Sequence, residues 1–164
     1  MRVGCRPAQG DPMTKLTIWM RVVGVFYLLQ FVAMAIVRAP IRAQGPAGTL
    51  ALADAGDPLA KFVVNTWLTF GLEVCAIGVA LLVFSRRPSQ ARGVVWTVLG
   101  IELLRGLVDD VYMMSKGDDI AFYTIWIVIH SSVIVTGLLV LRATAASSAK
   151  PSLAAQDAPS PAIA

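Results

Sequence analysis

Four runs of apolar residues, at about 16–37, 62–84, 93–115 and 120–141, alternate along the chain with short stretches rich in Gly, Pro and charge. At a rise of about 1.5 Å per residue each run is long enough to cross a hydrocarbon layer about 30 Å thick. Hydrocarbon offers no partner for backbone N–H and C=O groups, so runs of this kind are predicted to be helices. The third run, GVVWTVLGIELLRGLVDDVYMMS, is anomalous because it contains Glu102, Arg105, Asp109 and Asp110. An Asp or Arg near the centre of an inserted helix costs about 2.5–3.5 kcal/mol, while each Val, Leu or Ile returns only about 0.3–0.6 kcal/mol. The run's ten aliphatic residues do not offset four ionisable ones, so neighbouring helices are expected to shelter them.

The breaks between the runs read as punctuation. Residues 1–15 are polar and interrupted by Pro7 and Pro12, a flexible lead in which Met13 offers an alternative start. Ala33-Met34-Ala35 fits a signal-peptidase site, but the apolar run continues past it, which favours a retained helix over a cleaved leader. Between the first two runs, Pro40, Gly45, Pro46 and Gly48 forbid a long helix, and residues 49–55 are expected to form one short turn. Asp57-Pro58 has the form of an N-cap followed by a first-turn proline. SRRPSQAR, at 85–92, is so short that the helices on either side are expected to be antiparallel neighbours. Gly117 is placed to end the third helix, and an aspartate beside it to cap the fourth. From residue 142 the chain is rich in Ala, Ser and Pro and is read as a disordered tail. The expected fold is therefore all-α, an antiparallel four-helix transmembrane bundle over residues 16–141.

Phase along these helices picks out the polar residues that would face inward. At about 100° per residue Glu102, Arg105, Asp109 and Tyr112 share one stripe, with Gly106 beside it and Asp110 about 80° away. Asn65, Thr69 and Glu73 line the second helix, Tyr123, His130 and Gly137 the fourth, and Tyr27 and Gln30 the first. Tyr27, Glu73, Arg105 and His130 fall near the middle of their respective runs, with Glu102 about a turn to one side and Asp109 about a turn to the other. The candidate ligand-binding or proton-relay residues are thus Tyr27, Glu73, Glu102, Arg105, Asp109, Tyr112 and His130. Ionisable groups in a membrane interior are costly and mark binding or proton transfer, although the same groups can also serve as cross-helix hydrogen bonds.

Composition agrees with a membrane protein: 57% of residues are hydrophobic and 15% charged, against about 25% charged in soluble domains. The net charge of +4 reflects topology rather than nucleic-acid binding. Arg2, Arg6, Lys15, Arg86, Arg87, Arg92, Arg142 and Lys150 lie on one side of the predicted helices, and Arg38, Arg42, Lys61 and Lys116 on the other. That bias puts both termini in the cytoplasm. One histidine cannot make a bis-histidine haem site, and Asp109-Asp110, pointing about 100° apart, is a poor metal pair. GxGxxG, GxxxxGK[ST], HExxH and GxSxG are absent, and Cys5 and Cys75 suggest no disulfide framework or zinc site. Neither a cofactor nor a reaction is identified by these residues.

A start of MTKLTIWMRVVGVFYLLQFV, an acidic second helix, the stretch IELLRGLVDDVYMM and a central histidine in the fourth helix resemble the BphX-like family over residues 13–141. These are small bacterial integral membrane proteins named after a reading frame in a biphenyl-degradation operon. The resemblance implies neither biphenyl as substrate nor an enzyme, and carries over no catalytic residue. More distantly the layout is similar to DoxX-type four-helix membrane proteins, some of them associated with quinone-linked oxidation. The expected function is binding of a lipophilic molecule such as a lipid or quinone at the polar cluster, or service as an accessory subunit, alone as a homo-oligomer or within a larger membrane complex. The alternative is a small membrane enzyme or proton-coupled carrier in which His130 and a carboxylate exchange protons.

Overall fold

A computed structural model describes residues 11–38, 42 and 48–149, and all its regular elements among them are helical. Helix α1 spans Pro12–Phe31 and runs directly into a π-helical turn at Val32–Ile36. A short α2, Thr49–Asp54, precedes α3, Pro58–Phe84. After a 3-10 turn at Pro88–Gln90 comes α4, Arg92–Ile101, which passes through a π-helical segment, Glu102–Val108, into α5, Asp109–Ser115. Helix α6 covers Ile120–Ala149. The sequence signals for helix ends act as expected. Asp57 Oδ1 accepts from the Ala60 backbone N–H at 2.8 Å, and Asp119 Oδ1 from Ala121 and Phe122 at 2.9 and 3.2 Å. Gly117 has φ 93°, a left-handed conformation that a side chain would oppose, so the chain turns there between α5 and α6.

Among the described residues three helices are long and apolar enough to cross a membrane: Pro12–Ile36, Pro58–Phe84 and Ile120–Ser147. The stretch from Arg92 to Ser115 is continuous as helix, but its four ionisable residues and π-helical interruption set it apart from those three. Large apolar side chains are exposed along all of these helices, with Val22, Leu29, Leu104 and Val128 each at least 60% accessible. Exposed apolar side chains of this number mark a surface made for a membrane or a partner. The exposed hydroxyls of Thr66, Thr69, Thr124 and Ser132 each donate to the carbonyl four residues earlier, at 2.7–3.0 Å, which satisfies them without water.

Two boundaries differ from expectation. Helix α1 begins at Pro12 rather than at residue 16, because proline at a first helical position loses no hydrogen bond. Helix α6 continues through residues 142–149, which the sequence reading assigned to the tail; their Ala-rich composition favours continuation of a helix already formed. The remaining tail, 150–164, and most of the N-terminal lead lie outside the described residues.

The chain divides into two compact units rather than forming the single one expected, Met20–Val98 being one and Met1–Trp19 with Leu99–Ala164 the other. In the first, α1 and α3 cross closely at glycines. A Cβ on Gly78 would stand 2.9 Å from the Gly24 carbonyl oxygen, and one on Gly71 3.1 Å from Ala35 Cβ. Small residues at such crossings let backbones approach, the usual means of association where lipid supplies no hydrophobic drive. In the second unit α6 packs along the π-helical segment and α5. Gly137 takes the edge of Trp19 and Leu99, and the Trp19 indole N–H donates to Thr136 Oγ1 at 3.0 Å.

Candidate functional site

The ionisable residues that come together do so inside the second unit, around His130. Glu102 is only 2% exposed and Asp110 7%, an unusual depth for acids in any protein. The His130 ring lies between them. Its Nδ1–H donates to Glu102 Oε2 at 2.5 Å, a short, charge-assisted bond. Its Nε2 stands 3.7 Å from Asp110 Oδ2, beyond hydrogen-bonding range. Asp110 Oδ2 is buried without a hydrogen-bond partner. Buried acceptors nearly always have one, and an unmet one costs about 1–3 kcal/mol.

Local structure explains how this geometry arises. On a regular α-helix Glu102 and Asp110, eight residues apart, point about 80° from one another. The π-helical segment inserts the equivalent of one extra residue between them, which takes back about 100° and leaves the two carboxylates within about 20° of one line. Gly106, midway between them, is buried against the imidazole. A Cβ there would lie 2.5 Å from His130 Cγ and 2.6 Å from Nδ1, so only glycine lets the ring rest on the helix backbone. The ring also stacks on Trp126, with centroids 5.8 Å apart and planes at 29°. The imidazole is thereby held by the Gly106 backbone, by the indole and at one nitrogen.

The other expected site residues take different positions. Arg105, Asp109 and Tyr112 are exposed, and the Tyr112 ring lies 5.2 Å from Lys116 Nζ. The stripe that a straight α-helix would make of them with Glu102 is broken by the same π-helical insertion that brings Asp110 in. Tyr27 and Glu73 belong to the other unit, Tyr27 buried at 3% exposure and Glu73 exposed on α3. Sequence reasoning set Asp110 aside because it assumed uniform 100° steps. The i, i+4, i+8 spacing of Glu102, Gly106 and Asp110 was the available signal, and it acquires meaning only on an underwound helix. Trp126, a further residue of the site, is placed by its spacing of four residues before His130 on the same helix.

Chemically the cluster is two carboxylates and one imidazole in an apolar setting, able to hold protons or a hydrogen-bond donor. Among the described residues no three His, Cys, Asp or Glu side chains converge closely enough to hold a metal ion.

Comparison with known proteins finds relatives of one family. The chain is 27% identical over 139 residues to an uncharacterized BphX-like protein of Burkholderia cepacia, covering 83% of this chain and 97% of that one. The same figures hold for an uncharacterized BphX-like protein of Paraburkholderia xenovorans strain LB400. No solved structure matches the chain. The profile of the BphX-like family matches residues 13–146, nearly the whole of the helical region, and the chain therefore belongs to the BphX-like family.

Proposed function

We propose that the protein is a polytopic protein of the bacterial inner membrane that binds a lipophilic small molecule at Glu102, His130 and Asp110. In this reading the helix from Arg92 to Ser115 is a fourth crossing, the helices are antiparallel, and both termini are cytoplasmic. Short connections after α3 and α5 and the excess of Lys and Arg on one side support that arrangement. The observation that carries the binding function is Asp110 Oδ2, a buried acceptor with no donor in reach, 3.7 Å from an imidazole nitrogen. A site that leaves an acceptor unmet in an apolar environment is destabilised until a ligand supplies the donor.

Native mass spectrometry of the protein taken directly from its membrane in lipid nanoparticles tests this. The wild type is expected to carry a bound small molecule that Asp110→Asn lacks while its fold is kept. An identical complement of bound molecules in both proteins would refute the reading.

A further inference from the structure

We infer that the basic end of α3 is a headgroup site for an anionic phospholipid, formed by Arg21, Arg86, Arg87 and Arg92 within the unit Met20–Val98. It shares no residue with the cluster at His130 and does not depend on what binds there.

Arg21 is the starting observation. It stands nine residues after the start of α1 and is exposed, as are Val22 beside it and Val25, about 40° away around the helix. A guanidinium among lipid-facing valines is costly in hydrocarbon and is tolerated where it reaches the headgroup layer. Its Nε–H donates to Ser85 Oγ at 3.5 Å, a long bond, and Ser85 Oγ in turn donates to the Leu82 carbonyl at 2.7 Å. That contact sets the level of Arg21. Ser85 is the residue immediately after α3, where the apolar helix gives way to Arg86 and Arg87. Arg21 therefore lies at the boundary that the end of α3 marks, although it belongs to an apolar helix.

The positive charge collected there is not offset within the unit. Arg86, Arg87 and Arg92 are exposed and are drawn together by the 3-10 turn at Pro88–Gln90. None of the four arginines pairs with an acid among the described residues. Of the acids in this unit, Asp54 and Asp57 lie at the opposite end of α3, and Glu73 lies twelve residues, about 18 Å, before Ser85.

Two features select the occupant. Guanidinium groups offer planar pairs of N–H donors that match phosphate oxygens, and Arg21 spends only one of its five on Ser85. The arginines are also bordered by apolar side chains that are 48–64% exposed: Val22 and Val25 on α1, Val83 two residues before Ser85, and Trp96 one turn after Arg92. A nucleic acid or an acidic protein segment would meet the charges and leave that rim bare. A phospholipid meets both, its phosphate on the arginines and its acyl chains along the valines, with Trp96 at the level where indoles anchor. A headgroup of net negative charge is preferred over a zwitterionic one, which carries a cation of its own into the cluster.

The test is a titration of the purified protein in neutral detergent with phosphatidylglycerol or phosphatidylcholine of the same acyl chains, with bound lipid counted by native mass spectrometry. The first phosphatidylglycerol is expected to bind at least about thirtyfold more tightly than the first phosphatidylcholine. An arginine beside anionic lipid contributes about fivefold, so Arg86→Gln and Arg87→Gln together should weaken phosphatidylglycerol about twenty-fivefold and leave phosphatidylcholine unchanged. Arg21→Gln should weaken it at least about fivefold, with Arg21→Lys recovering only part because lysine lacks the planar fork. Lys61→Gln removes a charge near the opposite end of α3 and should change it less than about twofold. Circular dichroism checks the fold of each variant; should Arg21→Gln fail to fold, the Arg86 and Arg87 pair decides. Equal affinity for the two lipids, or a loss in Lys61→Gln as large as in the arginine variants, would overturn the site. Displacement of phosphatidylglycerol by poly-glutamate at equal charge concentration would overturn the lipid assignment in favour of an acidic protein segment.

Discussion

Gly106 provides the most direct test of the site's construction, through Gly106→Ala. An added methyl would sit 2.5, 2.6 and 2.9 Å from His130 Cγ, Nδ1 and Cδ2. Carbon–carbon contacts settle at about 3.5–4.0 Å, so the ring must retreat by about 1 Å. A hydrogen bond of 2.5 Å to Glu102 does not survive such a shift without rearrangement. Overpacking costs about 1–3 kcal/mol, and loss of a hydrogen bond to a charged group about 1.5–3 kcal/mol. Alanine is better than glycine in a helix by about 0.8–1 kcal/mol, which offsets part of the loss. The net expectation is destabilisation by about 2–4 kcal/mol, or roughly thirtyfold to a thousandfold in the folding equilibrium. Gly100→Ala is the matched control, since nothing lies within 4 Å of the Cβ it would add; it should be neutral or slightly stabilising. Reversible unfolding in mixed micelles, followed by circular dichroism, measures both. Equal stability of the two variants would show that the imidazole does not rest on the Gly106 backbone, and the account of the site would fall.

Three further outcomes follow from the same structure. Asp110→Asn removes a buried charge whose Oδ2 has no partner, so its melting temperature should equal or exceed that of the wild type even as binding is lost; a clear drop would mean that Asp110 is structural. His130→Phe keeps an aromatic ring beside Trp126 but deprives buried Glu102 of its imidazole donor. It should cost about 1–3 kcal/mol in the same unfolding assay, with Glu102→Leu in the same chain recovering a substantial part; absence of recovery would refute the pairing. Gly78→Val would place a side chain where even a Cβ meets the Gly24 carbonyl oxygen at 2.9 Å. Separation of α1 from α3 should lower stability by at least about 1–3 kcal/mol, and a wild-type melting curve would contradict the close crossing.

What the sequence determined by itself was everything that depends on composition along one helix. Of the four apolar runs read as crossings, three are helices long and apolar enough for a bilayer among the described residues, and Asp57, Gly117 and an aspartate after it marked ends that the structure keeps, because caps and left-handed turns act within a few residues. The family, too, was legible in the stretch around IELLRGLVDD and the start of the chain. Glu102 and His130 were both marked as ionisable groups too costly to sit in a membrane without purpose. What only the tertiary structure decided was which polar groups meet. A π-helical insertion shifts every later side chain by about 100°, so Asp110 turns inward to His130 while Arg105, Asp109 and Tyr112 lie exposed. The i, i+4, i+8 spacing of Glu102, Gly106 and Asp110 does not by itself announce that insertion, because a regular α-helix accommodates the same residues and packing against a neighbouring helix has to compensate for the altered hydrogen bonding.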